Sequence, residues 1–412
     1  MRQEVVITGS GVLSPLGRNL DTFCRALHAG EVALRAERYE APGGITERMV
    51  APLDEIPVAD YIPTVERRFF SGLSLAATWC AERAMVDAGL EGYALDDVRA
   101  GVIFGSGFIN LYDLAPVYER FFTGDEKHLS PLVIPINMAS CPAGRISLRH
   151  GLRGYSRTVS TACASASSAL AAAYRAIADG SHDMIIAGGA DLVCCTTLVR
   201  SWERLRILCP VSDRPELACR PFDRDRNGLA LGDGTFLFTL ESRQHAEQRG
   251  ARVLAVLRGA FENSDAFDML KPSAEGAARC MAGALDSAGI APEQVDMVQA
   301  HGTATALNDA TEYQALTRVL GRRASEVPVC AIKSMIGHTM GASGGAALAA
   351  AIGSLQRGYI YPVPGFSAAD DDVAVRIVSQ GGSTDACSHV LINAFGFGGA
   401  NACLVVGRDE GA

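Results

Sequence analysis

Residues 158–178 read TVSTACASASSALAAAYRAIA, and this stretch decides the class of fold. β-Branched residues typical of a strand come first and an Ala-rich run typical of a helix follows, so we predict a strand at 158–160 and a helix at 164–178. Cys163 falls at the junction. A thiol beside a helix N-terminus lies near the positive end of the helix dipole and near free backbone N–H groups, which favour the thiolate. Because cysteine is also a common small core residue, this segment alone leaves a catalytic and a packing interpretation open.

Short strand-like runs and longer helix-like runs alternate along the rest of the chain, which is the pattern of layered α/β proteins. No Pro/Ser-rich linker or low-complexity tract separates them. The sequence therefore predicts two intimately packed halves, residues 1–250 and 251–412, rather than two tethered domains. The predicted strands are 4–8, 101–103, 253–257, 297–299 and 329–332, and the predicted helices are 73–88, 275–287, 310–320 and 342–355.

Composition argues against several classes of protein. With 412 residues, 48% of them hydrophobic and 20% charged, the chain can bury a large core. A net charge of −9 and the lack of a lysine-rich run argue against a nucleic-acid-binding surface. The sequence shows neither a secretory signal nor a run of about 18 apolar residues, so we expect a cytoplasmic protein with no membrane partner.

The twelve cysteines are scattered, without the compact spacing of a disulfide-stabilised secreted domain. Reduced thiols are therefore expected. Cys194 and Cys195 are adjacent, unlike the C-x-x-C pattern of zinc sites, and no histidine stands at zinc-ligand spacing. We predict no metal site.

Two further segments place reactive side chains where a strand meets a loop. Residues 298–316, VQAHGTATALNDATEYQAL, present His301. Residues 330–348, CAIKSMIGHTMGASGGAAL, present Lys333 and His338. Taken singly, each side chain also allows a structural interpretation, as a loop histidine, a solvated loop lysine or a helix cap.

A fourth segment, NAFGFGGAN at 393–401, supplies glycines that let backbone segments approach closely. It matches neither of the two phosphate-binding glycine signatures, so it does not predict a nucleotide site. Together the four segments bring a thiol, two histidines and a lysine to strand exits. That combination is hard to explain as packing and predicts an active site.

These segments resemble the elongating β-ketoacyl-[acyl-carrier-protein] synthases, the condensing enzymes of fatty-acid and type II polyketide assembly. The motifs TACASA, HGTAT, KSMIGHTMGA and NAFGFGG carry the resemblance. It covers essentially the whole chain, from VVITGSGVLSPLG at 5–17, through CRPFDRDRNGLALGDG at 219–234, to FGFGGANACLVV at 395–406. The resemblance implies an α/β, thiolase-like fold in which two similar βαβαβ-type halves stack as five α-β-α-β-α layers.

The resemblance also implies roles for the candidate residues. Cys163 is expected to be the acylated nucleophile, with its own N–H and that of Phe397 as the oxyanion hole. His301 and His338 are expected to stabilise the enolate that forms when the malonyl carboxylate leaves. Phe397 is also expected to act as a gate that moves when the acyl chain enters.

Four more residues complete the implied site. Lys333 is expected to lie behind the histidines, where it organises charge and water and pairs with Glu312. Thr303 and Thr305 are expected to hydrogen-bond the phosphopantetheine arm of the substrate carrier.

The implied reaction is a decarboxylative Claisen condensation of the Cys163-bound acyl group with malonyl held by an acyl carrier protein, which makes the chain an acyltransferase. We expect no tightly bound cofactor, since the substrates arrive on the phosphopantetheine of that carrier. A homodimer is expected, with a heterodimer of related subunits as the alternative. By resemblance of their segments, four arginines are candidate contacts to an acidic carrier: Arg67, Arg68, Arg204 and Arg206.

Two other functions stay open at this point, a thiolase-type acyl-CoA enzyme and a catalytically silent partner subunit of a heterodimer. His338 in place of a second catalytic cysteine disfavours the first, and Cys163 disfavours the second. Ala347 and Ala394 depart from the family pattern, which often has a glutamate and a serine there, so we expect an altered inner polar network. Acyl length, saturation and the choice between a fatty-acid and a polyketide or polyene pathway do not follow from the sequence.

Overall fold

The computed structural model of the chain describes residues 2–57, 61–95, 97–109, 111–370, 373–379, 382 and 387–411. Its strands are β1 Val5–Leu13, β2 Arg35–Ala41, β3 Gly44–Ala51, β4 Ala100–Gly105, β5 Ser156–Val159, β6 Met184–Asp191, β7 Leu231–Gly232, β8 Gly234–Ser242, β9 Ala255–Ser264, β10 Met297–Gln299, β11 Pro328–Cys330, β12 Arg376–Ile377, β13 His389–Gly396 and β14 Ala400–Gly407. Its α-helices are α1 Leu20–Ala29, α2 Thr64–Arg67, α3 Gly72–Asp87, α4 Leu111–Phe122, α5 Val133–Asn137, α6 Cys141–His150, α7 Ser165–Ala178, α8 Thr196–Arg204, α9 Arg243–Gln248, α10 Ala274–Ala288, α11 Ala306–Leu320, α12 Lys333–Ile336 and α13 Ser343–Arg357.

The predicted strands and helices are present; β10 has the predicted bounds, and the other elements have at least one end shifted. The junction at Cys163 is confirmed, because it lies between β5 and α7. The strand predicted at 4–8 is longer, since Gly11 lets β1 pass close to α3: a Cβ there would lie 1.8 Å from the Cys80 carbonyl oxygen. The strand predicted at 329–332 ends earlier, because Ile332 already caps α12.

An 11-stranded sheet runs through the molecule in the order β12-β11-β10-β13-β14-β9-β1-β8-β6-β4-β5. Outward from β1, the pairs β1–β8 and β8–β6 are antiparallel, while β6–β4 and β4–β5 are parallel. Outward from β9, the pairs β9–β14 and β14–β13 are antiparallel, while β13–β10 and β10–β11 are parallel. The two series therefore repeat one strand pattern and meet where β1 pairs with β9.

Helices α7 and α13 form the central layer, because each contacts strands of both series: α7 packs on β6 and β9, and α13 on β8 and β13. Gly344 lets the two helices approach closely, since a Cβ there would lie 2.1 Å from Ser167 Oγ. On the outer faces, α3 and α6 cover the first series, and α10, with α11 packed on it, covers the second. The predicted α-β-α-β-α layering is confirmed.

The functional segments lie at strand ends. Those that follow β5, β10, β11 and β13 carry the candidate residues, and they converge on one pocket. A small sheet of β2, β3 and β7 lies beside it, and β7 forms a parallel bridge between Leu231 and His338. The fold therefore brings residues of both halves together.

Candidate active site

Cys163 lies in a strained turn between β5 and α7. Ala162 has φ +50°, a left-handed conformation that residues other than glycine rarely adopt. The Ser165 hydroxyl stabilises the turn, because it accepts the N–H of Thr161 at 2.9 Å and donates to the Ala162 carbonyl oxygen at 2.6 Å. Gly396 lies against this turn, where a Cβ would be 2.7 Å from the Thr161 carbonyl oxygen. The close approach explains why the last position of β13 is a glycine.

The Cys163 thiol is only 8% exposed. Burial raises the pKa of this thiol to about 12, although the positive charge of Lys333 and the backbone N–H groups of Cys163 and Phe397 act to lower it. The backbone N–H groups thus favour the thiolate, as expected from the sequence, but loss of hydration outweighs them. The two N–H groups that hydrogen-bond to the sulfur are those predicted to form the oxyanion hole.

His301 follows β10 and is buried. Its Nδ1 accepts the N–H of Phe395 at 3.4 Å, and its ring centroid lies 5.4 Å from that of His338. Burial, together with the charge of Lys333, holds the pKa of His301 well below its usual range. A neutral imidazole whose Nδ1 accepts a hydrogen bond carries its proton on Nε2. His301 therefore offers one N–H donor.

His338 lies just before α13 and is 1% exposed. Its Nδ1 accepts the N–H of Met340 at 3.1 Å and lies 2.9 Å from Ser343 Oγ. Burial and the charge of Lys333 also hold the pKa of His338 well below its usual range. The same reasoning puts its proton on Nε2. The two predicted histidines thus present two neutral N–H donors rather than two positive charges.

Lys333 and Glu312 are both buried, and both hold the His301 segment. The Lys333 ammonium donates to the His301 carbonyl oxygen. Glu312 accepts the N–H groups of His301 and Gly302, each at 2.8 Å, and the side-chain amide of Asn393 at 3.0 Å.

The direct Lys333–Glu312 ion pair expected from the sequence is not found among the residues that the structure describes, and that expectation is wrong. The oxygens of Glu312 already accept three N–H donors, and the ammonium of Lys333 donates to a carbonyl. The two charges still interact: burial lowers the pKa of Lys333, and the charge of Glu312 acts in the opposite direction.

The CRPFDRDRNGLALGDG block supports both histidine loops through its backbone. The N–H of Phe222 donates to Asp309 at 2.7 Å, and Asp309 also accepts the N–H of Thr303 at 3.0 Å. The carbonyl oxygen of Ala230 accepts the N–H of His338 at 2.7 Å. This block therefore fixes the histidine loops relative to each other without lending a reactive group.

A pocket of about 240 Å³ has Cys163, His301 and His338 in its wall. Thr303 and Thr305 also line it, with 2.9 Å between their hydroxyl oxygens. With Phe397, the structure therefore brings six of the predicted site residues to this cavity, while Lys333 and Glu312 support the His301 side of it.

Phe397 is 37% exposed and lines the same pocket. Its ring stacks on that of Trp202, with 5.8 Å between centroids. Arg204 and Arg206 flank another wall residue, Leu205, whereas Arg67 and Arg68 lie at the end of α2. Of the two arginine pairs, Arg204 and Arg206 are therefore the pair adjacent in sequence to a residue that lines the pocket.

The two departures from the family pattern are apolar packing positions. Ala347 lies in the largest hydrophobic cluster, and Ala394 packs with Ala164 and Ala402. The polar network beside Lys333 is therefore carried by backbone groups and by Glu312.

Sequence reasoning missed four residues of the site: Asp191, Trp202, Asp309 and Asn393. Trp202 lines the pocket, whereas the other three accept or donate hydrogen bonds that hold its loops. A signal for Asp191 was present, because MIIAGGAD is an apolar strand that ends in an acid. Asp309 and Asn393 gave no such local signal.

Two structural observations bear on other classes of function. Within the described residues, no group of three or more His, Cys, Asp or Glu side chains is arranged to hold a metal ion. No helix in the described ranges combines the length and the hydropathy needed to cross a membrane.

Comparison with known proteins gives a family match along most of the chain. Residues 2–246 match the family described as "Beta-ketoacyl synthase, N-terminal domain", and residues 254–367 match "Beta-ketoacyl synthase, C-terminal domain". The "3-oxoacyl-[acyl-carrier-protein] synthase 2" of Coxiella burnetii is 32% identical over 415 residues, which cover 99% of each chain.

Two solved structures are similar over nearly the full length. A β-ketoacyl synthase from Burkholderia phymatum superposes with a TM-score of 0.91 and 31% identity, covering 100% of both chains. The structure described as "AntDE:AntF (apo): type II PKS acyl-carrier protein in complex with its ketosynthase bound to the hexaketide" has a TM-score of 0.87 and 27% identity. That match covers 99% of this chain and 100% of the other.

Proposed function

The chain belongs to the β-ketoacyl synthase family, has the thiolase fold of its ketosynthase neighbours and is a condensing acyltransferase. From this premise we propose that Cys163 carries the acyl group and that His301 and His338 drive decarboxylation and condensation. One observation carries this proposal: a thiol, two backbone N–H groups and two neutral histidines share one pocket.

In the first half-reaction, Cys163 attacks the carbonyl carbon of an incoming acyl thioester. The thiol loses its proton as the new C–S bond forms, and the departing carrier sulfur takes up a proton. The N–H groups of Cys163 and Phe397 stabilise the negative charge that develops on the carbonyl oxygen. Because burial opposes the free thiolate, proton loss is coupled to this attack rather than complete beforehand.

In the second half-reaction, the malonyl group loses its carboxylate as CO2, and the electron pair of the broken C–C bond becomes an enolate. The Nε2–H groups of His301 and His338 donate to the enolate oxygen. The enolate carbon then attacks the acyl carbonyl on Cys163, a C–C bond forms, and the Cys163 sulfur leaves. Neutral donors suit this step, because they stabilise the developing charge without transferring a proton to the carbon.

We propose an acyl carrier protein as the partner and its phosphopantetheine as the bearer of both substrates. The name of the Coxiella burnetii relative and the solved carrier–ketosynthase complex support this proposal. In this proposal Thr303 and Thr305, whose hydroxyl oxygens lie 2.9 Å apart in the pocket, hydrogen-bond the arm, and Phe397, partly exposed against Trp202, acts as the gate. A dimer, a cytoplasmic location, two halves that divide near residue 250 and the lack of a tightly bound cofactor complete the proposal.

Intact-protein mass spectrometry after incubation with an acyl carrier protein tests the nucleophile. The wild type is expected to gain one acyl mass, Cys163→Ala none, and Cys195→Ala the wild-type amount. Cys195 is the matched control because it is more exposed than Cys163 but is not among the pocket residues. An unmodified wild type would favour the silent-subunit alternative, and acylation of Cys163→Ala would refute the assignment of the nucleophile.

A further inference from the structure

Asp191 is a buried acid to which the proposed reaction assigns no role. It is the last residue of β6 and is 0% exposed. One carboxylate oxygen accepts the Ser106 hydroxyl at 2.6 Å and the N–H of Phe108 at 3.2 Å. The other accepts the N–H groups of Gly107 at 2.9 Å and Gly341 at 2.6 Å. Each oxygen thus accepts two hydrogen bonds.

These partners come from two different halves. Ser106, Gly107 and Phe108 follow β4, whereas Gly341 lies in the turn that leads from His338 into α13. The contact is tight: a Cβ on Gly341 would lie 2.6 Å from an Asp191 oxygen and 2.3 Å from the nitrogen of Gly107. Asp191 is therefore the point where the first half holds the His338 turn.

The segment that binds Asp191 also lies against the turn that carries Cys163. A Cβ on Gly107 would lie 3.1 Å from the carbonyl oxygen of Ala162, the residue before Cys163. The charge of Asp191 also adds to burial in raising the pKa of the Cys163 thiol, and opposes Lys333 in doing so. Burial raises the pKa of Asp191 itself to about 6, against the lowering effect of its hydrogen bonds.

The repeat between the halves shows that this carboxylate is not required by the backbone. Asp191 ends β6 and Gly396 ends β13, and each pairs with the first residue of the next antiparallel strand. Each also faces the turn before the central helix of the other half, Asp191 at Gly341 and Gly396 at Cys163. One strand end is thus filled by a carboxylate, and its counterpart leaves space beside the thiol.

We propose that Asp191 is a positioning residue for condensation: by accepting the N–H groups of Gly107 and Gly341 it holds the His338 turn against the Cys163 turn. This inference rests on the proposed function, since it assumes that Cys163 and His338 act in one reaction. The positioning role predicts an effect on condensation, and the nearby charge of Asp191 provides a second readout, the reactivity of the Cys163 thiol.

Asp191→Asn separates the two effects. Asparagine keeps the shape but has no charge, and its NH2 group cannot accept, so at least one backbone N–H loses its partner. Alkylation of Cys163 by iodoacetamide, followed by peptide mass mapping across pH, is expected to run up to about tenfold faster than in the wild type at the same pH, because a larger fraction of the thiol is ionised. The kcat of condensation is expected to fall roughly ten- to a hundredfold, as for a misplaced reacting group, with the KM for the carrier substrate unchanged.

Two variants serve as controls. Asp233→Asn alters another buried acid, which accepts the N–H groups of Leu53, Val193 and Cys194, and it is expected to leave the alkylation profile unmoved. Ser106→Ala removes one donor but keeps the Asp191 charge, so kcat should fall modestly with unchanged alkylation. This milder variant keeps the test valid if Asp191→Asn does not fold.

Wild-type alkylation and wild-type kcat in Asp191→Asn would overturn the inference, and so would an alkylation profile that changes equally in Asp233→Asn. Failure of the proposed function looks different. In that case wild-type Cys163 would accept no acyl group from the carrier, whatever residue stands at 191.

Discussion

The two turns that precede the central helices share a backbone but differ in chemistry. Ala162 and Met340 each stand three residues before a helix, and both have positive φ, +50° and +46°. The next residue is Cys163 in the first turn and Gly341 in the second. Because the strained backbone is common to both, the chemical difference between the turns lies in this residue and its surroundings.

The strand ends that face these turns also differ: a glycine faces the Cys163 turn, and an aspartate faces the Gly341 turn. Gly396 leaves the Cys163 turn uncrowded, and a short turn leads from it directly into β14. Asp191 fills the space against Gly341, and the long segment 192–233 follows it, which contributes Trp202 to the pocket. A repeated fold thus provides two turns of one shape, of which one carries Cys163 and the other follows His338.

The largest effect is expected from removing Glu312, the side chain that supports the His301 loop in the second half. Glu312→Ala leaves two backbone N–H groups and the Asn393 amide without their acceptor in the core. Since each unsatisfied buried donor costs about 1–3 kcal/mol, we expect the free energy of unfolding to fall by about 3–5 kcal/mol. Chemical denaturation measures the loss, and Glu312→Gln, which keeps one acceptor oxygen, should lose less. Wild-type stability in Glu312→Ala would show that the carboxylate does not support this loop.

Removing either histidine tests whether the two turns have separate roles, because condensation should be impaired while acylation at the Cys163 turn continues. His301→Ala and His338→Ala are expected to lower condensation roughly 10²–10³-fold, the usual effect of losing one donor to a developing oxyanion. Acylation of Cys163, followed by intact mass, should continue. The exposed His128 supplies a matched control in His128→Ala. Lost acylation with intact decarboxylation would reverse the roles of the two turns.

A methyl group at the two glycines tests whether the turns act separately. In Gly396→Ala the new Cβ meets the Thr161 carbonyl oxygen at 2.7 Å, and in Gly341→Ala it meets Gly107 N at 2.3 Å. We expect acylation to slow roughly tenfold or more in the first variant, and condensation alone to slow in the second. Gly144→Ala, where a Cβ meets no atom within 4 Å, is the control. Identical defects in both glycine variants would mean that the turns move as one unit.

The pH dependence of Cys163 alkylation tests the burial of the first turn. With the pKa of the thiol raised to about 12, the thiolate fraction increases with pH throughout the alkaline range. The rate should therefore rise about tenfold per pH unit with no plateau below roughly pH 10, whereas an unperturbed thiol, with a pKa of about 8.5, levels off earlier. A plateau near neutral pH would show that the helix terminus and Lys333 outweigh burial.

The smallest expected effect concerns the carrier surface. Arg204 and Arg206 flank the pocket residue Leu205, so Arg204→Glu and Arg206→Glu should raise the KM for an acidic carrier several-fold, more at low salt than at high salt. Arg67→Glu and Arg68→Glu, on α2, provide the comparison set. Equal effects at all ionic strengths would argue against charge steering at either place.

The sequence predicted the features of the site that depend on a pattern within one segment of the chain. The junction at Cys163 and the loops of His301 and His338 follow from runs of residues within one segment. The Lys333–Glu312 pair was wrong because the actual partners are backbone groups that only the tertiary fold supplies. The raised pKa of the Cys163 thiol also required the fold, since the burial that causes it depends on the whole pocket.

Although its position at a strand end could be read from the sequence, the hydrogen-bond partners of Asp191 could not. Its partners Ser106 and Gly341 are 85 and 150 residues away along the chain, so no local pattern links them. The two similar halves were expected from the family resemblance alone, and the strand order that they repeat came from the structure. Pairing of distant strands and the hydrogen bonds at their ends therefore required the structure.

The division between the two turns is tested most directly by malonyl-carrier decarboxylation in Cys163→Gln and in the double variant Cys163→Gln/His338→Ala. The glutamine amide mimics an acylated cysteine but cannot be acylated, so the first turn is held constant while the second is changed. CO2 release is expected to persist in the single variant and to fall roughly a hundredfold or more in the double variant. Equal CO2 release from the two proteins would place decarboxylation outside the His338 turn and contradict the division.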